Sequence, residues 1–373
     1  MSIALDVVAV VVAVPALLTV AHLVLLAAAS LDYRPAGSAG SPGRAHLLVI
    51  VPAHDEEAVI ADALRSINAS RRASDTVLVV ADRCSDATAQ LARDHGALVL
   101  ERGLGSEPGR ARAVSAGLGW AQDLAWDGVV AIDADCVVDP GFFDACARAI
   151  DEGAPVAQAR CESMAGSTWM ERILQVASAL EGVLKPRGRD RLGLSVRLKG
   201  SGMVVSRAVL ETYGFRNSGA SEDLWLSLDL CVDGVLARHL DDARLFALSP
   251  ESARAAWTQK VRWEAGRMYA AREHAGRLLR RRTLATLEAA VHVVTPPTAV
   301  AVLLLVAGAA LAAAAGTYWL ALALLAVIGL MATSVVTALF EARSSGAVWL
   351  ALVVAPAYVG FKACVQVAAL LRM

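Results

Sequence analysis

Two aspartates stand one residue apart at the end of an apolar run in the middle of the sequence. The stretch reads GVVAIDADCVVDP, Gly128 to Pro140, and its carboxylates are Asp133 and Asp135. On an extended chain these side chains point to opposite faces, so both reach one ligand only if the strand ends and turns at Asp133 to Cys136. Hard divalent cations prefer oxygen ligands and are usually held by one or two carboxylates together with substrate phosphates. The pair therefore predicts a site for a metal and a phosphate-bearing ligand.

A second acidic pair, Glu222 and Asp223, stands in the stretch SGASEDLWLSLDL. The leucines that follow have helical spacing, so one interpretation places both carboxylates in the first turn of a helix, where the helix dipole favours negative charge. A second interpretation makes one of them a general base, a carboxylate within hydrogen-bond reach of an acceptor hydroxyl group. The stretch alone is compatible with both.

The stretch QKVRWEAGR combines an amide, a guanidinium and an indole in Gln259, Arg262 and Trp263. Their spacing puts them on one face of a helix. An arginine beside an aromatic ring can bind a diphosphate by charge and a sugar by stacking. The same stretch is typical of an amphipathic helix at a membrane surface with tryptophan as the interfacial anchor, and the two roles are compatible.

Strands and helices alternate in the region that must position these residues. Four apolar runs predict strands: HLLVIVPA, DTVLVVAD, ALVLERG and GVVAIDAD. Helical patterns lie between them, and Ser85 or Asp86 can cap the helix that starts near Ala87. The alternation predicts an α/β fold with a parallel sheet, in which ligands bind at the carboxyl ends of the strands. The carboxylates at such ends are Asp55, Glu56, Asp82, Asp133 and Asp135.

The two ends of the chain are strongly apolar. The 373 residues are 56% hydrophobic with a mean hydropathy of +0.51, more than is usual for a soluble enzyme. The first apolar run exceeds the roughly 20 residues that cross a bilayer, and it lacks the basic start and cleavage site of a signal peptide. It therefore predicts a retained transmembrane helix. Three more are predicted near 289–315, 318–340 and 347–371, the first of them kinked by Pro296 and Pro297.

Lysines and arginines beside the predicted helices set their orientation. Arg34 and Arg44 follow the first helix, the run RLLRRR (277–282) precedes the second, and Arg343 lies between the third and fourth. All three places are predicted to be cytoplasmic, with both termini outside. The chain is thus predicted to be a multi-pass protein of the plasma membrane with a cytosolic catalytic domain.

Composition divides the chain into five predicted parts. They are an N-terminal transmembrane helix (1–31), a linker rich in Gly, Pro and Ser (32–45), a cytosolic α/β domain (46–250), interfacial amphipathic helices (251–284) and three C-terminal transmembrane helices (285–373). The net charge of −1 gives no reason to expect nucleic acid binding. The basic run 277–282 is better explained by anionic membrane lipids, at about 1 kcal/mol per basic residue. The six cysteines have no C-x-x-C spacing and are predicted to be free thiols.

Six stretches in order resemble the membrane-bound family 2 glycosyltransferases, the group that contains cellulose, chitin and hyaluronan synthases and ceramide glucosyltransferase. They are VIVPAHDEE, VLVVADRCSDAT, IDADC, GSGMVVSR, SGASEDLWL and QKVRW, and the resemblance spans residues 47–267. It implies a GT-A fold, which is Rossmann-like with a mostly parallel sheet, joined to an α-helical transmembrane domain. It also implies an inverting transfer from a nucleotide-sugar, usually a UDP-sugar, that depends on Mg²⁺ or Mn²⁺.

The resemblance also implies which residues bind the donor. Those that match donor-binding motifs are Pro52, Ala53, Glu56, Asp82, Arg110, Asp133, Gln259, Arg262 and Trp263. Among them Asp82 would contact the base, and Asp133 with Asp135 would hold the metal and the diphosphate. The Q-x-x-R-W residues would hold the diphosphate and close the donor site.

On the acceptor side, Asp223 of the Glu222-Asp223 pair would be the base that deprotonates the acceptor hydroxyl. The loop that matches the acceptor side is Gly200, Ser201 and Gly202. Two positions depart from the family pattern. Arg110 stands where a lysine is frequent, which keeps the charge but not the geometry of a phosphate contact. Asp55 stands where asparagine is common, which adds a negative charge near the diphosphate unless it faces away.

Three functions fit this pattern. The first is extension of a glycan or polysaccharide at the cytosolic membrane face, where an oligomer or partner subunit could add helices to the four predicted here. The second is a single transfer to a lipid acceptor, as in the ceramide glucosyltransferase branch. The third is an inactive membrane protein that binds nucleotide-sugars. A transporter is disfavoured because the predicted spans lack the charges that usually mark a substrate path.

Overall fold

The computed structural model describes residues 2–35, 42–215, 221–249 and 253–372. They form two compact units. The sheet unit comprises Arg34–Met164 and Leu194–Leu248, and the helical unit comprises Met1–Tyr33, Ala165–Gly193 and Ser249–Met373. Residues 36–41 of the predicted linker, residues 218–220 of the stretch SGASEDLWL and residues 251–252 of the predicted interfacial segment lie outside the described residues.

Strands and helices alternate in the first half of the sheet unit, as the hydrophobic pattern predicts. The strands are β1 (Leu47–Ala53), β2 (Thr76–Asp82), β3 (Leu98–Arg102), β4 (Gly128–Ala131), β5 (Cys136–Val138), β6 (Val156–Ser163), β7 (Met203–Ser206) and β8 (Arg238–Ala247). The helices in chain order are α1 (Ser2–Ser30), α2 (Ile60–Ser70), α3 (Thr88–Asp94), α4 (Arg110–Trp120), α5 (Phe142–Asp151), α6 (Trp169–Ser178), α7 (Lys185–Arg191), α8 (Arg207–Tyr213), α9 (Glu222–Val232), α10 (Ala253–Arg281), α11 (Leu284–Val294), α12 (Thr298–Ala314), α13 (Tyr318–Glu341), α14 (Gly346–Leu350) and α15 (Ala355–Leu370).

The eight strands form one mixed sheet in the order β3-β2-β1-β4-β7-β6-β8-β5. Strand β1 is parallel to both β2 and β4, and β2 is parallel to β3. Strand β7 enters antiparallel between β4 and β6. The predicted α/β architecture with a mostly parallel sheet is confirmed.

Two hydrophobic cores lie on the two faces of the sheet, because successive residues of a strand point to opposite sides. In β1, Val49 and Val51 belong to the core that contains Ile60 and Leu64 of α2. Their neighbours Leu48 and Ile50 belong to the other core, with Val114 of α4 among the buried residues there. Both faces of β1 are therefore covered, which explains why its sequence is a continuous apolar run rather than an alternating one.

Of the two residues predicted to cap α3, Asp86 hydrogen-bonds to the start of the helix, but Ala87 occupies the N-cap position and makes no side-chain cap bond. Helix α3 begins at Thr88, and Oδ1 of Asp86 accepts a hydrogen bond from the Thr88 N–H at 3.0 Å. That bond satisfies one of the amides that a helix start leaves without a partner inside the helix.

Among the described residues of the helical unit, three helices are long and apolar enough to cross a membrane: Ala4–Ser30, Tyr318–Glu341 and Gly346–Leu370. The helices α11 and α12 together form a fourth candidate, but they meet at an angle of 68°. The bend lies at Pro296 and Pro297, where the proline nitrogens cannot donate the hydrogen bonds of a continuous helix. The kink predicted within 289–315 is confirmed and amounts to a full break between two helices, so this segment qualifies as a fourth span only if the bent pair is counted as one.

Residues 165–193 belong to the helical unit rather than to the sheet unit, although the predicted 46–250 domain includes them. Helix α7 packs directly against α1: a Cβ atom added to Gly188 would lie 2.3 Å from the carbonyl oxygen of Leu26. Within the same unit, the buried Arg189 of α7 donates to Glu288 of α11 at 2.9 Å. Close backbone packing and buried charge pairing therefore hold this inserted segment in the helical unit.

Helix α10 is tied to its neighbours through Glu264. Lys362 of α15 donates to Glu264 at 2.7 Å, and Arg267 donates to it at 3.0 Å. Arg267 also donates to the carbonyl oxygens of Val293 and Thr295, at 2.8 and 3.1 Å. Those carbonyls lie at the end of α11, where the proline break leaves them without helical partners. The helix that carries Q-x-x-R-W is therefore fixed to α11 and α15.

Candidate active site

The chain turns at the predicted aspartate pair. Strand β4 ends at Ala131, a turn follows at Ala134 and Asp135, and Cys136, the first residue of β5, donates its N–H to the carbonyl of Asp133 at 3.1 Å. The pair thus leaves the carboxyl end of β4, beside β1, as the strand pattern predicts. The turn that both carboxylates need in order to serve one ligand is confirmed.

The loop Lys199–Gly202 lies beside this turn, because β7 pairs antiparallel with β4 and its first residue, Met203, is the register partner of Ala131. The N–H of Asp133 donates to Oγ of Ser201 at 3.0 Å. The N–H of Gly202 donates to the carbonyl of Ala131 at 2.7 Å. Sheet topology alone brings these two segments together, although some 70 residues separate them along the chain.

Glycine is required at position 202. Its φ is +72°, and an added Cβ atom would lie 2.2 Å from Cδ2 of Leu245. A side chain would therefore meet both a backbone penalty and a steric clash. The loop that carries Gly200 and Ser201 can approach the sheet only with glycine there.

Arg110 lies at the centre of the site. Its Nε donates to Asp133 at 2.7 Å, its Nη1 donates to Glu222 at 3.2 Å, and its Nη2 donates to the carbonyl of Gly200 at 2.7 Å. The neighbouring carboxylates Asp133, Glu222 and Asp223 stabilise the charged guanidinium and raise the pKa of Arg110, against the opposing effect of burial. A single side chain therefore joins the aspartate pair, the glycine loop and the start of α9.

Asp223 occupies the first turn of α9, next to Glu222, as one of the two sequence interpretations expects. Its Oδ1 accepts a hydrogen bond from the N–H of Leu224 at 2.7 Å. Its other oxygen lies 3.5 Å from the position that a Cβ atom of Gly200 would take. Burial, with a further contribution from Glu222, raises the pKa of Asp223 to about 6. Such a carboxylate is still ionised at neutral pH but is a stronger base than an exposed aspartate.

Glu56, just after β1, adds a third carboxylate to the aspartate pair. Burial and then the charges of Asp135 and Asp133 raise the pKa of Glu56 to about 7. Burial and Asp133 likewise raise the pKa of Asp135. The charges of Asp133 and Asp135 thus act on Glu56, and Arg110 is the cation that pairs with Asp133. Carboxylate oxygens are the ligands that a divalent cation prefers, so these residues suit one chemically, and their role as metal ligands stays a prediction.

Gln259 and Arg262 lie on α10 of the helical unit, where they line an open groove of about 460 Å³ with Arg254, Ala255 and Thr258. Trp263 is 49% exposed, and Nζ of Lys260 lies 5.6 Å from the centre of its ring. Burial and then Lys362 lower the pKa of Lys260 to about 8. The Q-x-x-R-W residues therefore present polar and aromatic groups along one helix face, as their spacing predicts.

Comparison of the sequence with models of protein families shows to which family the chain belongs. A family model described as glycosyltransferase like family 2 matches residues 42–266, more than half of the chain. The chain belongs to this family. The protein is thus a glycosyltransferase, and the resemblance found in its motifs is confirmed. Comparison with curated proteins gives no match.

One solved structure has a similar fold over nearly the whole length of the transferase. The mannosyltransferase PcManGT from Pyrobaculum calidifontis, in complex with GDP-Man and Mn²⁺, is 18% identical, and the similarity covers 99% of this chain and 98% of that one with a TM-score of 0.62. Mycobacterium tuberculosis glucosyl-3-phosphoglycerate synthase, in complex with Mn²⁺, UDP and phosphoglyceric acid, is 21% identical over 66% of this chain and 81% of its own, with a TM-score of 0.44. S. aureus TarS is 16% identical over 65% and 41%, with a TM-score of 0.43. The predicted GT-A fold is confirmed.

The structure of the transferase brings together part of the predicted site. Asp133, Glu222 and Gly200 all contact Arg110, and Ser201 contacts Asp133. Pro52 and Ala53 lie at the end of β1, where the nucleotide pocket is predicted. The roles of these residues, and of Gln259, Arg262 and Trp263 on α10, stay predictions.

Asp82 ends β2 as predicted, but its carboxylate has a partner that the sequence reasoning missed. Arg102 donates to Oδ1 of Asp82 at 2.6 Å, and both side chains are largely buried. The signal in the sequence is that opposite charges end two consecutive predicted strands, and the structure makes Asp82 and Arg102 register partners at the ends of β2 and β3. If Asp82 contacts the nucleobase of the donor, it does so with a carboxylate that is already paired with Arg102.

Gln158 is the second residue that the sequence reasoning missed. It lies in β6 with 1% of its surface exposed. Its Nε2 donates to the carbonyl of Ser201 at 2.9 Å, and its Oε1 accepts from the N–H of Lys199 at 2.9 Å. A buried amide inside an apolar strand is a recognisable signal, since it must find hydrogen-bond partners. Gln158 fixes the backbone of the loop Lys199–Gly202, which is predicted to lie on the acceptor side.

Asp55 belongs to a different acidic cluster, with Cys84 and Asp86, in which one ligand atom of each lies within 4.8 Å of the others. Ser85 donates its N–H to Oδ1 of Asp55 at 2.7 Å, and Glu57 donates its N–H to Asp86 at 3.0 Å. These carboxylates tie together the loops that follow β1 and β2. The carboxylate at position 55, where asparagine is common in the family, thus accepts hydrogen bonds from the N–H and the hydroxyl group of Ser85.

Proposed function

We propose that this glycosyltransferase transfers a sugar, with inversion, from a nucleotide-sugar to a hydroxyl group of a growing glycan at the cytosolic membrane face. One observation supports the proposal above the others. Arg110 joins Asp133 of the donor-side pair to Glu222, the neighbour of Asp223, at 2.7 and 3.2 Å. The proposed donor site and the proposed base thus belong to one group of residues joined by hydrogen bonds through Arg110.

The donor is proposed to be a UDP-sugar bound at the carboxyl ends of β1, β2 and β4. Asp133 and Asp135 would hold a divalent cation, Mn²⁺ or Mg²⁺, with Glu56 nearby. When bound, such a cation supplies positive charge that stabilises the leaving diphosphate. The solved mannosyltransferase complex contains GDP-Man and Mn²⁺, which supports a nucleotide-sugar and a divalent metal here but leaves GDP as the competing nucleotide.

Asp223 is proposed to be the base. The acceptor hydroxyl gives its proton to the carboxylate of Asp223 while its oxygen bonds to the anomeric carbon, and the bond from that carbon to the diphosphate oxygen breaks. The attack comes from the side opposite the leaving group, so the configuration inverts. One carboxylate suffices because the diphosphate leaves as an anion without needing a proton, unlike the leaving alcohol in glycoside hydrolysis.

Gln259, Arg262 and Trp263 are proposed to bind the diphosphate and the sugar from α10. A guanidinium suits a diphosphate because it can donate two parallel hydrogen bonds. We place α10 at the cytosolic membrane surface, with α1, the α11–α12 pair, α13 and α14–α15 as membrane segments. Reporter fusions at Arg343 and at the C-terminus test the orientation, and finding both on the same side of the membrane contradicts it.

A lipid acceptor is a second candidate, favoured by the membrane segments. Among the described residues, three helices qualify as spans and the α11–α12 pair is bent by 68°. That is little material for a channel through which one chain could export a polymer. A single transfer to a lipid hydroxyl needs no such channel.

One assay tests both candidates. Purified full-length protein is incubated with radiolabelled UDP- and GDP-sugars in the presence of Mn²⁺ or Mg²⁺, and the products are separated by size and by organic extraction. Labelled glycan supports the first candidate and labelled lipid the second. No product above the level of an Asp223→Asn variant, with any donor, contradicts the proposed function.

A further inference from the structure

We propose that Arg110 is a positioning residue that sets the distance between the donor-side carboxylate and the catalytic base, rather than a ligand of the donor phosphates. This rests on the proposed function. Arg110 stands where a phosphate-binding lysine is frequent in the family, so binding of the donor phosphates is the competing role. Loss of a positioning residue should lower kcat, whereas loss of a phosphate ligand should weaken nucleotide binding.

The geometry of the guanidinium supports positioning. Each of its three nitrogens donates to a different chain segment: Nε to Asp133 after β4, Nη1 to Glu222 at the start of α9, and Nη2 to the carbonyl of Gly200. The planar fork cannot rotate toward a ligand without giving up at least one of these hydrogen bonds. A lysine ammonium carries the same charge but cannot serve three acceptors in these directions.

Charge gives the second reason. Asp133 and Glu222 would repel each other if Arg110 did not lie between them, and Asp223 lies in the first turn of the helix that Glu222 begins. The carbonyl of Gly200 accepts a hydrogen bond from Arg110. A Cβ atom added to Gly200 would lie 3.5 Å from Oδ2 of Asp223, so this loop residue also lies next to the proposed base. Arg110 therefore fixes both the start of α9 and the loop opposite the base.

The experiment compares Arg110→Lys, Arg110→Met and a matched control, Arg112→Lys, in the full-length protein. Arg112 lies two residues further along α4 and pairs with Glu107, whose side chain is 73% exposed. Affinity for UDP and for GDP with Mn²⁺ is measured by calorimetry, and kcat is measured with the donor that the panel assay identifies. Thermal unfolding shows whether each variant is folded.

For Arg110→Lys we expect nucleotide affinity within about threefold of wild type and a kcat about 10- to 100-fold lower, because the base is displaced while the charge remains. Combining it with Glu222→Gln should cost less than the product of the two single losses, because both changes break one contact. Arg112→Lys should match wild type. If Arg110→Met does not fold, Arg110→Lys decides the question.

Two results overturn the proposal. A loss of nucleotide affinity of about tenfold or more with kcat preserved at saturating donor identifies Arg110 as a phosphate ligand. Unchanged affinity and kcat in Arg110→Lys show that the three-way contact is not needed. If the wild type transfers no sugar, the result contradicts the proposed function and not the role of Arg110. The calorimetric measurement of nucleotide affinity still tests Arg110 as a phosphate ligand in that case.

Discussion

Nε of Arg189 lies 2.9 Å from Oε1 of Glu288, and the two side chains are only 2% and 6% exposed. The pair joins α7, inserted between two strands of the sheet in sequence, to α11 at the start of the bent helix pair. His22 of α1 contacts the same oxygen of Glu288 at 2.7 Å. Three segments of the helical unit thus meet at one carboxylate.

Removing one partner of this pair should destabilise the helical unit strongly. Glu288→Leu leaves Arg189 buried without its carboxylate, at a cost of about 3–5 kcal/mol, whereas the double change to leucine should recover much of the loss. Thermal unfolding in detergent measures the effect. Arg191→Leu is the control, because its pair with Asp32 is 50% and 64% exposed and should contribute at most about 1 kcal/mol. A Glu288→Leu variant as stable as wild type would refute the role given to the pair.

The pH dependence of transfer should report Asp223. As the proposed base, Asp223 would work only when ionised, and its pKa is raised from 3.8 to about 6. We therefore expect kcat to be constant above about pH 7, to reach half of that value near pH 6, and to fall by about tenfold per pH unit below about pH 5. Rates at saturating donor between pH 4 and 8 measure this. A fall in kcat toward low pH (the acid limb) with its midpoint near pH 4 would contradict this prediction.

Changing Glu222 gives the matched test of the cause. Its charge contributes to the raised pKa of Asp223. Glu222→Gln should therefore move the acid limb toward lower pH, whatever its effect on the maximal rate. A limb that moves toward higher pH contradicts this account of the electrostatics.

Alanine at position 202 should destabilise the sheet unit by about 2 kcal/mol or more, because it adds a clash with Leu245 to an unfavourable backbone conformation. Gly234 provides the control. Its φ is +82°, close to the +72° of Gly202, but a Cβ atom there meets nothing within 4 Å. Thermal unfolding of the two variants separates the clash from backbone strain. Equal shifts for both would show that Leu245 yields at no cost.

Asp135→Ala should abolish the effect of metal on nucleotide binding. We expect the affinity for UDP or GDP, whichever the wild type binds, to lose at least about tenfold in Mn²⁺ and to equal the value in chelator. Asp55→Ala, in the separate cluster with Cys84 and Asp86, should keep the metal effect. Calorimetry with and without Mn²⁺ measures both variants. If Asp55→Ala loses the metal effect and Asp135→Ala keeps it, the metal site is assigned to the wrong carboxylates.

Local patterns in the sequence determined which elements form. Continuous apolar runs predict β1, β2 and β4 because both faces of these strands are buried, and strand ends place Asp82, Asp133 and Asp135 at the edge of the sheet where ligand binding is predicted. The turn after Asp133 and the break at Pro296 follow from local chemistry too. Such features depend on neighbouring residues only, so a single sequence is enough to predict them.

Tertiary structure decided which distant residues meet. Arg110 contacts Asp133, Gly200 and Glu222 because β7 inserts antiparallel beside β4 and brings residues 199–202 to the end of that strand. Residues 165–193 join the helical unit because Arg189 finds Glu288 there and Gly188 lets α7 pack against Leu26. Neither contact leaves a periodic mark in the sequence. Each depends on the order of strands and on the packing of helices, which local hydrophobic patterns do not specify.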